Sequence, residues 1–357
     1  MPAPPGRTMP GAAPETALAE FIRQRTGARR ASVLEFLRLS GGAIQDNHAL
    51  TLSLEGGSSP GRLEVVVRSD APSRIDASLD RAQEFHVLAA AFQAGVTVPR
   101  PLWLCTDTSL TGRVFSVMSR MPGSASPLRL LRGAIDPGQA RALTHSLGVE
   151  LARLHTIRPP HADLDFLPVP DGPPARHRLR SYRDALARIP DSRPVLEWAL
   201  NWLEDHIPAD ADLVLCHCDF RTGNYLVQDG RLTAVLDWEF AAWSDPYEDL
   251  GWLCSRSWRF GVLDKEVGGL GDKQDLYAGY ASHSGAQVDP ARVLYWEIMA
   301  MVRWAIIALQ QAQRHLSGEQ RSLELALTGR MLPEIELDLL QQVCDMESDD
   351  ARSAPRP

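Results

Sequence analysis

The stretch LCHCDFRTGNYLV, residues 215–227, sets two polar side chains directly after an apolar segment. Four residues separate Asp219 from Asn224. Further along, LTAVLDWEFA (232–241) ends a second apolar run on Asp237, beyond the turn-forming letters QDGR. Short apolar runs bounded by turn residues predict strands, so we expect a hairpin that joins the two motifs.

Two carboxylates and an amide in this arrangement suit phosphoryl transfer from ATP. That reaction needs a carboxylate that orients and deprotonates the attacking hydroxyl, and metal ions that bridge phosphate oxygens. Mg²⁺ prefers hard oxygen ligands such as carboxylates and amides. Protein kinases space a base aspartate and a metal-binding asparagine in the same way, with a second metal-binding aspartate after a later strand. Turn formation explains each residue alone, but the three together favour phosphoryl transfer.

Composition and charge narrow the class of protein. The chain has 357 residues, enough for two lobes with separate cores. Its net charge is −8, without the excess of basic residues that binds phosphate backbones, so nucleic acid is not expected as a partner. Five cysteines in no disulfide-like pattern favour a cytoplasmic location. The start of the chain lacks a secretory signal, and the apolar run 298–309 is too short to span a bilayer, so no membrane partner is expected.

The order of predicted elements divides the chain near Pro122. Residues 15–121 are expected to form a small N-lobe of one antiparallel sheet and two helices. Residues 122–347 are expected to form a larger, mostly helical C-lobe, and residues 1–14 and 348–357 to be disordered. The N-lobe helix, expected over 78–94, carries apolar residues at helical spacing: Leu79, Ala82, Phe85, Ala89 and Phe92. The predicted fold class is therefore α+β with a bilobal plan.

Four motifs, HCDFRTGN, VLDWEFA, SDPYEDLGW and LARLH, resemble those of the aminoglycoside phosphotransferase family of small-molecule kinases. The text DWEFAAWSDPYEDLGWLCSRSWRFG is similar to a subgroup that includes kinase-like domains fused to acyl-CoA dehydrogenases. No dehydrogenase is expected to follow within this sequence. The resemblance implies a protein-kinase-like fold, ATP and Mg²⁺ as cofactors, and a small molecule that accepts the phosphoryl group on a hydroxyl.

The family resemblance assigns roles to the residues of the opening motifs. Asp219 is implied as the catalytic base, and Asn224 and Asp237 as the Mg²⁺ ligands. The family usually has Gly where this chain has Cys218, whose side chain we expect to pack inward. Asp249 resembles the family residue that hydrogen-bonds the catalytic loop.

In the N-lobe the resemblance implies a nucleotide site. Gly41 and Gly42 would lie in the phosphate-covering loop, where glycines let backbone N–H groups approach phosphate closely. Arg68 ends the third strand where many kinases have Lys, and its planar fork can also bind phosphate. Glu84 would pair with Arg68, although a solvated Glu on a helix face is an equal alternative. The hinge would bind adenine through the backbone of two residues, Ser119 and Met121.

The expected acceptor pocket follows the helix that contains Asp249. The segment WLCSRSWRFG (252–261) has two arginines and no acidic residue. If these elements wall the pocket, as the resemblance implies, the pocket is cationic and aromatic and suits a hydroxy acid or a hydroxyacyl-coenzyme A compound. The alternative is that the arginines pair with nearby acids. The residues concerned are Arg256, Trp258, Arg259 and Arg303.

Three other functions compete with this prediction. A nucleotide-binding pseudokinase that acts as an interaction module is disfavoured by the complete Asp219, Asn224 and Asp237 set. An aminoglycoside-type antibiotic kinase remains open, because the sequence does not name the acceptor. A protein kinase is disfavoured, since only residues 238–244 are available for a peptide-docking loop. The oligomeric state and the choice between ATP and GTP stay open.

Overall fold

The computed structural model describes residues 14–39, 46–70, 78–209 and 212–353, which belong to two compact units. The first unit comprises Met1–Phe92 and Pro99–Met121, and the second comprises Gln93–Val98 and Pro122–Pro357. The sequence had placed residues 93–98 with the N-lobe. They belong to the second unit because Thr97 donates its N–H to Glu150 and accepts from the N–H of Val235.

The first unit is one antiparallel sheet with a helix against it. Its strands pair in the order β1-β2-β3-β5-β4. Helix α1 packs Leu18 and Ile22 against the sheet, whose core includes Leu52 and Phe115. The five strands and first helix therefore form the antiparallel N-lobe that the sequence predicts. The element bounds are α1 Pro14–Thr26, β1 Arg30–Arg38, β2 Asp46–Glu55, β3 Gly61–Ser69, α2 Arg81–Gln93, β4 Pro101–Cys105 and β5 Phe115–Ser119.

The buried face of helix α2 is not the face that the spacing of its apolar residues predicts. Val87, Leu88 and Glu84 are buried, whereas Phe92 is 41% exposed. The charged Glu84 lies inside because Arg68 supplies a partner there. A buried carboxylate is tolerated only when it is paired, so the ion pair decides which face of this helix turns inward.

The second unit is mostly helical, with two small two-stranded sheets. Strand β6 pairs with β9, and β7 pairs with β8. A short π-helical turn, Leu130–Ala134, joins α3 to α4. Helix α11 extends past residue 347, where the sequence had placed the start of a disordered tail. The bounds are α3 Pro127–Arg129, α4 Pro137–Leu154, α5 Pro174–Leu186, α6 Pro194–Asp205, β6 Val214–Cys216, β7 Tyr225–Gln228, β8 Arg231–Val235, β9 Ala242–Ser244, α7 Pro246–Cys254, α8 Lys273–Ser284, α9 Pro290–Leu316, α10 Leu323–Arg330 and α11 Leu332–Ser353.

Helix α9 forms the centre of the second unit's core. By length and composition alone it could cross a membrane, but 72% of its most apolar window is buried within the protein. It packs against α6, α7, α10 and α11. The apolar run 298–309 is therefore part of a core helix that is longer than the run itself.

Helices α4 and α8 approach each other closely at two glycines. A Cβ atom at Gly148 would overlap the carbonyl of Leu276, and one at Gly279 would overlap the carbonyl of His145. Only glycine leaves room for this approach of two backbones. The contact fixes α4, whose residue Glu150 binds Thr97.

Candidate active site

The opening motifs lie at the ends of two short sheets, where the side chains of Asp219 and Asn224 are hydrogen-bonded. Asp219 follows the buried strand β6, and Asn224 directly precedes β7. The β7–β8 hairpin returns the chain so that the N–H of Leu236 donates to the carbonyl of Asn224 at 2.8 Å. Asp237 follows at once, with a left-handed φ of +63°. The hairpin predicted from the spacing is confirmed, and it brings the two ends of the motif set together.

The carboxylate of Asp219 is held by three hydrogen-bond donors. The indole Nε1 of Trp252 donates to Oδ1 at 2.9 Å, and Nε of Arg221 donates to the same oxygen at 3.2 Å. The amide Nδ2 of Asn224 donates to Oδ2 at 2.6 Å. The side chain of Asp219 is 14% exposed, so the carboxylate is fixed yet reaches solvent.

The oxygen atoms beside Asp219 fit a magnesium ion. The amide nitrogen of Asn224 donates to Asp219, which directs its Oδ1 away from that residue. Within the described residues, this Oδ1 accepts no hydrogen bond. Asp237 directly follows Leu236, whose backbone N–H donates to the carbonyl of Asn224, so the two residues lie on neighbouring segments of the hairpin. A carboxylate and an amide oxygen are the hard ligands that Mg²⁺ prefers.

A buried group of His155, Cys216 and Asp249 has ligand atoms within 4.8 Å of one another but suits a metal poorly. Burial raises the pKa of the Cys216 thiol well above its usual value, so the sulfur stays protonated. Both oxygens of Asp249 already accept hydrogen bonds from the protein. This group is explained by its internal bonds.

Asp249 anchors the loop that contains Asp219. Its Oδ2 accepts from the backbone N–H of His217 and its Oδ1 from that of Cys218, both at 2.8 Å. His155 lies 3.2 Å from the same Oδ2. Burial alone would raise the pKa of Asp249, but the bonds and charges of His155 and His217 outweigh it, and the pKa lies below its usual range. The prediction that Asp249 hydrogen-bonds the loop is confirmed.

The sequence DPYE (245–248) at the start of helix α7 has the pattern of a capping box, but only half of the box forms. Asp245 caps it by accepting from the N–H of Tyr247 at 2.9 Å. Glu248 does not return to the cap. Its carboxylate instead binds Arg178 at 3.0 Å and the hydroxyl of Ser244. The nearby, partly buried guanidinium of Arg178 outcompetes the local cap for this side chain.

Cys218 packs inward, as expected, in an unusual backbone conformation. Its φ is +60°, in the left-handed region that favours glycine. Its sulfur accepts from Nη2 of Arg178 at 3.2 Å, and its carbonyl accepts from Arg303. Burial raises the pKa of this thiol well above its usual value, so it is inert.

The predicted pair in the first unit is present. Nη2 of Arg68 lies 2.9 Å from Oε1 of Glu84, and both side chains are almost fully buried. The sequence reading missed Arg81, which binds the other oxygen of Glu84. The signal available was the Arg-x-x-Glu spacing on one helix face. Gly41 and Gly42 lie outside the described residues.

One of the two hinge residues cannot use its backbone donor for adenine. The N–H of Ser119 donates to the carbonyl of Arg100 at 2.9 Å, because β5 continues its pairing with the segment before β4. This bond removes the N–H of Ser119 from adenine binding, whereas the prediction for its carbonyl stays a prediction. Met121, beyond the strand end, has no backbone hydrogen bond within the described residues. Its donor and acceptor both remain available.

Arg256 and Arg259, predicted for the wall of an acceptor pocket, line a cavity of about 450 Å³, but each is paired with an acid. Nε of Arg256 lies 3.0 Å from Asp338, and Nη2 of Arg259 lies 3.6 Å from Glu297. Arg259 also donates twice to the carbonyl of Cys254. Both arginines are therefore paired with acids, which was the alternative interpretation.

Arg303 and Trp258 do lie near Asp219, through intermediaries. The guanidinium of Arg303 lies over the ring of Trp252 at 4.3 Å. Trp258 is stacked by the guanidinium of Arg221 at 4.5 Å. Sequence reasoning missed both Trp252 and Arg221. Two signals were available, since Trp252 lies one turn after Asp249 on α7 and Arg221 lies two residues after Asp219.

Comparison with known proteins places the chain in a family. The model of the phosphotransferase enzyme family, APH, matches residues 35–285, more than two thirds of the chain. The chain belongs to the APH family. Within it, the chain is similar to acyl-CoA dehydrogenase family member 10 of Mus musculus, with 27% identity over 90% of this chain and 30% of that protein. It is also similar to family member 11 of Pongo abelii, with 28% identity over 88% of this chain and 43% of that protein. The chain thus spans less than half the length of these curated relatives.

Solved structures share the APH fold at low identity. A provisionally assigned aminoglycoside phosphotransferase from Ralstonia eutropha matches with a TM-score of 0.73 and 23% identity, over 92% of this chain and 98% of that one. An ethanolamine kinase from Plasmodium vivax matches with a TM-score of 0.58 and 13% identity, over 86% and 83% of the two chains. An aminoglycoside phosphotransferase in a ternary complex with AMP-PNP and hygromycin B matches with a TM-score of 0.56 and 15% identity, over 90% and 98%. The predicted kinase-like α+β fold and the family resemblance, including its acyl-CoA-dehydrogenase-linked subgroup, are confirmed.

Proposed function

We propose that this chain transfers the γ-phosphoryl group of ATP to a hydroxyl of a small molecule, with Asp219 as the base. The observation that carries the proposal is the hydrogen bond between Asp219 and Asn224, with Asp237 placed by the hairpin that follows Asn224. In the proposed step the acceptor hydroxyl gives its proton to Asp219 while its oxygen bonds to the γ-phosphorus. The bond from that phosphorus to the bridging oxygen breaks, which releases ADP and the phosphorylated acceptor.

Asn224 and Asp237 would hold Mg²⁺ in this proposal. When bound, the ion neutralises charge on the phosphate oxygens as the transfer proceeds. The protein's part is to aim the two ligand oxygens. Asn224 is aimed because its amide nitrogen is bound to Asp219, and the left-handed φ of Asp237, +63°, sets the backbone from which its carboxylate extends.

Arg68 would bind the nucleotide phosphates and Met121 the adenine. Arg68 is held by Glu84, and Arg81 completes the coordination of that carboxylate. A guanidinium fixed in this way is oriented before the ligand arrives, which reduces the entropy lost on binding. The neighbour solved with AMP-PNP supports nucleotide use by the fold. The available backbone groups of Met121 support its role at the hinge.

The surroundings of Asp219 favour an acceptor without positive charge. Aromatic rings near a base could hold an ammonium group by cation–π contact. Here Arg221 and Arg303 already lie over Trp258 and Trp252, and both guanidinium groups repel a cation. We therefore propose a hydroxy acid or a hydroxyacyl-coenzyme A compound. The similarity to proteins named as acyl-CoA dehydrogenase family members supports an acyl-bearing acceptor.

Purified protein tests this proposal with ATP, Mg²⁺ and a panel of acceptors. We expect phosphorylation of hydroxy acids or hydroxyacyl-coenzyme A compounds, none of kanamycin or ethanolamine, and no turnover in EDTA. Asp219→Asn should lower kcat by about 100- to 10,000-fold, because the amide cannot accept the hydroxyl proton. Asp229→Asn removes a carboxylate from the exposed β7–β8 turn and serves as the control with unchanged kcat. Turnover of the amines alone would refute the acceptor class, and near-normal kcat in Asp219→Asn would refute the role of the base.

A further inference from the structure

The indole of Trp252 is tied to the proposed base. Its Nε1 donates to Oδ1 of Asp219 at 2.9 Å, and its side chain is 2% exposed. A buried hydrogen bond to a carboxylate is stronger and shorter than one between neutral groups. It therefore restrains the rotation of the Asp219 side chain.

Two helices hold Trp252 in place. Helix α7 contributes Asp249, which binds the backbone of the loop, and Trp252 one turn later, which binds the loop's carboxylate. From α9, Arg303 lies over the Trp252 ring at 4.3 Å and donates to the carbonyl of Cys218. The indole and the residue before Asp219 are thus held by the same guanidinium.

Apolar packing does not explain the bond. Trp258 and Trp304 belong to the same cluster as Trp252, with ring centroids at 5.1 Å (Trp252 to Trp258) and 4.8 Å (Trp258 to Trp304). Their buried indole nitrogens have no hydrogen-bond partner within the described residues. The cluster therefore accommodates indoles without a paired N–H, and Trp252 differs from both by its bond to Asp219.

The donors divide unequally between the two oxygens of Asp219. Oδ1 accepts from both Trp252 and Arg221, whereas among the described residues Oδ2 accepts from Asn224 alone. A carboxylate oxygen has two lone-pair positions in its plane, so Oδ1 is saturated and Oδ2 retains one. We propose that Trp252 is a positioning residue that occupies Oδ1 and turns Oδ2 toward the acceptor hydroxyl. This inference rests on the proposed function, since it assumes that Asp219 is the base.

A spectroscopic test of the bond does not depend on activity. The chain has nine tryptophans, so ¹⁵N-tryptophan labelling gives nine indole N–H signals that Trp→Phe variants assign. In Asp219→Asn we expect the Trp252 signal to move strongly, because its acceptor loses its charge, and the Trp304 signal to stay. An unmoved Trp252 signal would overturn the inference, even if no acceptor has been identified.

Kinetics then test the consequence for the base. Trp252→Phe keeps an aromatic ring for Arg303 but removes the donor, and we expect kcat to fall by about 10- to 100-fold with the KM for ATP unchanged. Trp304→Phe, the matched control, should keep wild-type kcat. If Trp252→Phe has wild-type kcat and Asp219→Asn is inactive, the inference is wrong and the proposed function stands. If Asp219→Asn is active, the proposed function itself is wrong.

Discussion

Cys218 combines a strained backbone with three separate partners. The residue adopts φ = +60°, which costs an L-amino acid about 1–2 kcal/mol relative to its preferred conformations. Asp249 binds its N–H, Arg178 its sulfur and Arg303 its carbonyl. These contacts from the surrounding helices therefore hold Cys218, directly before Asp219, in its strained conformation. Strained residues near functional sites persist in this way.

Replacement of Cys218 by the family's glycine should destabilise this protein. Cys218→Gly relieves about 1–2 kcal/mol of strain. Against this, glycine loses more backbone entropy on folding, by about 0.5–1 kcal/mol, and one N–H of Arg178 loses its partner at a cost of about 1–3 kcal/mol. We expect the free energy of unfolding, measured by urea denaturation, to fall by about 1–2 kcal/mol.

Asp229 supplies the matched control for this prediction. It also has a left-handed φ, +51°, but lies exposed in the β7–β8 turn. Asp229→Gly relieves strain without removing a buried partner, so its stability should equal or slightly exceed that of the wild type. If Cys218→Gly is stabilised as much as Asp229→Gly, the sulfur–Arg178 contact contributes nothing.

At the scale of elements, the crossing of α4 and α8 depends on glycine at two facing positions. Gly148→Ala inserts a methyl group into the carbonyl of Leu276, so the helices must separate. We expect the free energy of unfolding to fall by about 1–3 kcal/mol, as for other overpacked contacts. Thermal or urea unfolding measures it.

Gly138, in the first turn of the same helix, is the control for the helix crossing. A Cβ there meets only an oxygen of Asp136, at 3.2 Å. Gly138→Ala should therefore leave stability within about 1 kcal/mol of the wild type, since the gain in helix propensity offsets the tight contact. Equal losses in Gly138→Ala and Gly148→Ala would refute the close crossing.

The sequence predicted the elements well, but several partners depended on tertiary contacts. Strand ends and turn residues are local signals, so the hairpin that joins Asn224 to Asp237 followed from spacing. The inward face of α2 did not, because it depends on Arg68 in another element. Glu248 has a helix-cap pattern yet binds Arg178, and the N–H of Ser119 is taken by Arg100. Each of these choices is a competition between a local and a distant partner, which local patterns cannot rank.

The residues near Asp219 show the same limit. Spacing made Asp219, Asn224 and Asp237 the candidate residues, since all three lie in adjacent chain segments. Arg256 and Arg259 were misjudged because their acids, Asp338 and Glu297, come from distant helices. An arginine-rich segment therefore reveals a charged surface only after its carboxylate partners are located.

On the scale of the whole molecule, buried carboxylates govern stability against acid. Asp245 caps helix α7 and Asp249 lies within it, but the pKa values of these two residues are shifted in opposite directions. Burial raises the pKa of Asp245 despite its bond to Arg292, whereas histidine bonds bring the pKa of Asp249 below its usual value. The folded state therefore favours the charged form of Asp249 and the neutral form of Asp245.

These opposite shifts predict opposite effects on the pH dependence of stability. Asp249 contributes stability above its unfolded pKa, about 3.9, and this is lost as the pH falls through its lower folded value. Asp249→Asn should therefore make the fall of Tm between about pH 6 and pH 3 shallower, and Asp245→Asn should make it steeper. Thermal scans across this range test the signs, and a change of the same sign in both variants would contradict the assignment.

The bonds from Asp249 to the loop also limit how the molecule can open. The backbone N–H groups of His217 and Cys218 donate to the carboxylate of Asp249, which is buried in α7. Opening of the loop would therefore leave this buried charge without two of its donors. We therefore expect local melting of this segment to require the unfolding of α7 as well. Heating should inactivate the protein only as α7 unfolds, and the amide hydrogens of the loop should be among the last to exchange with solvent.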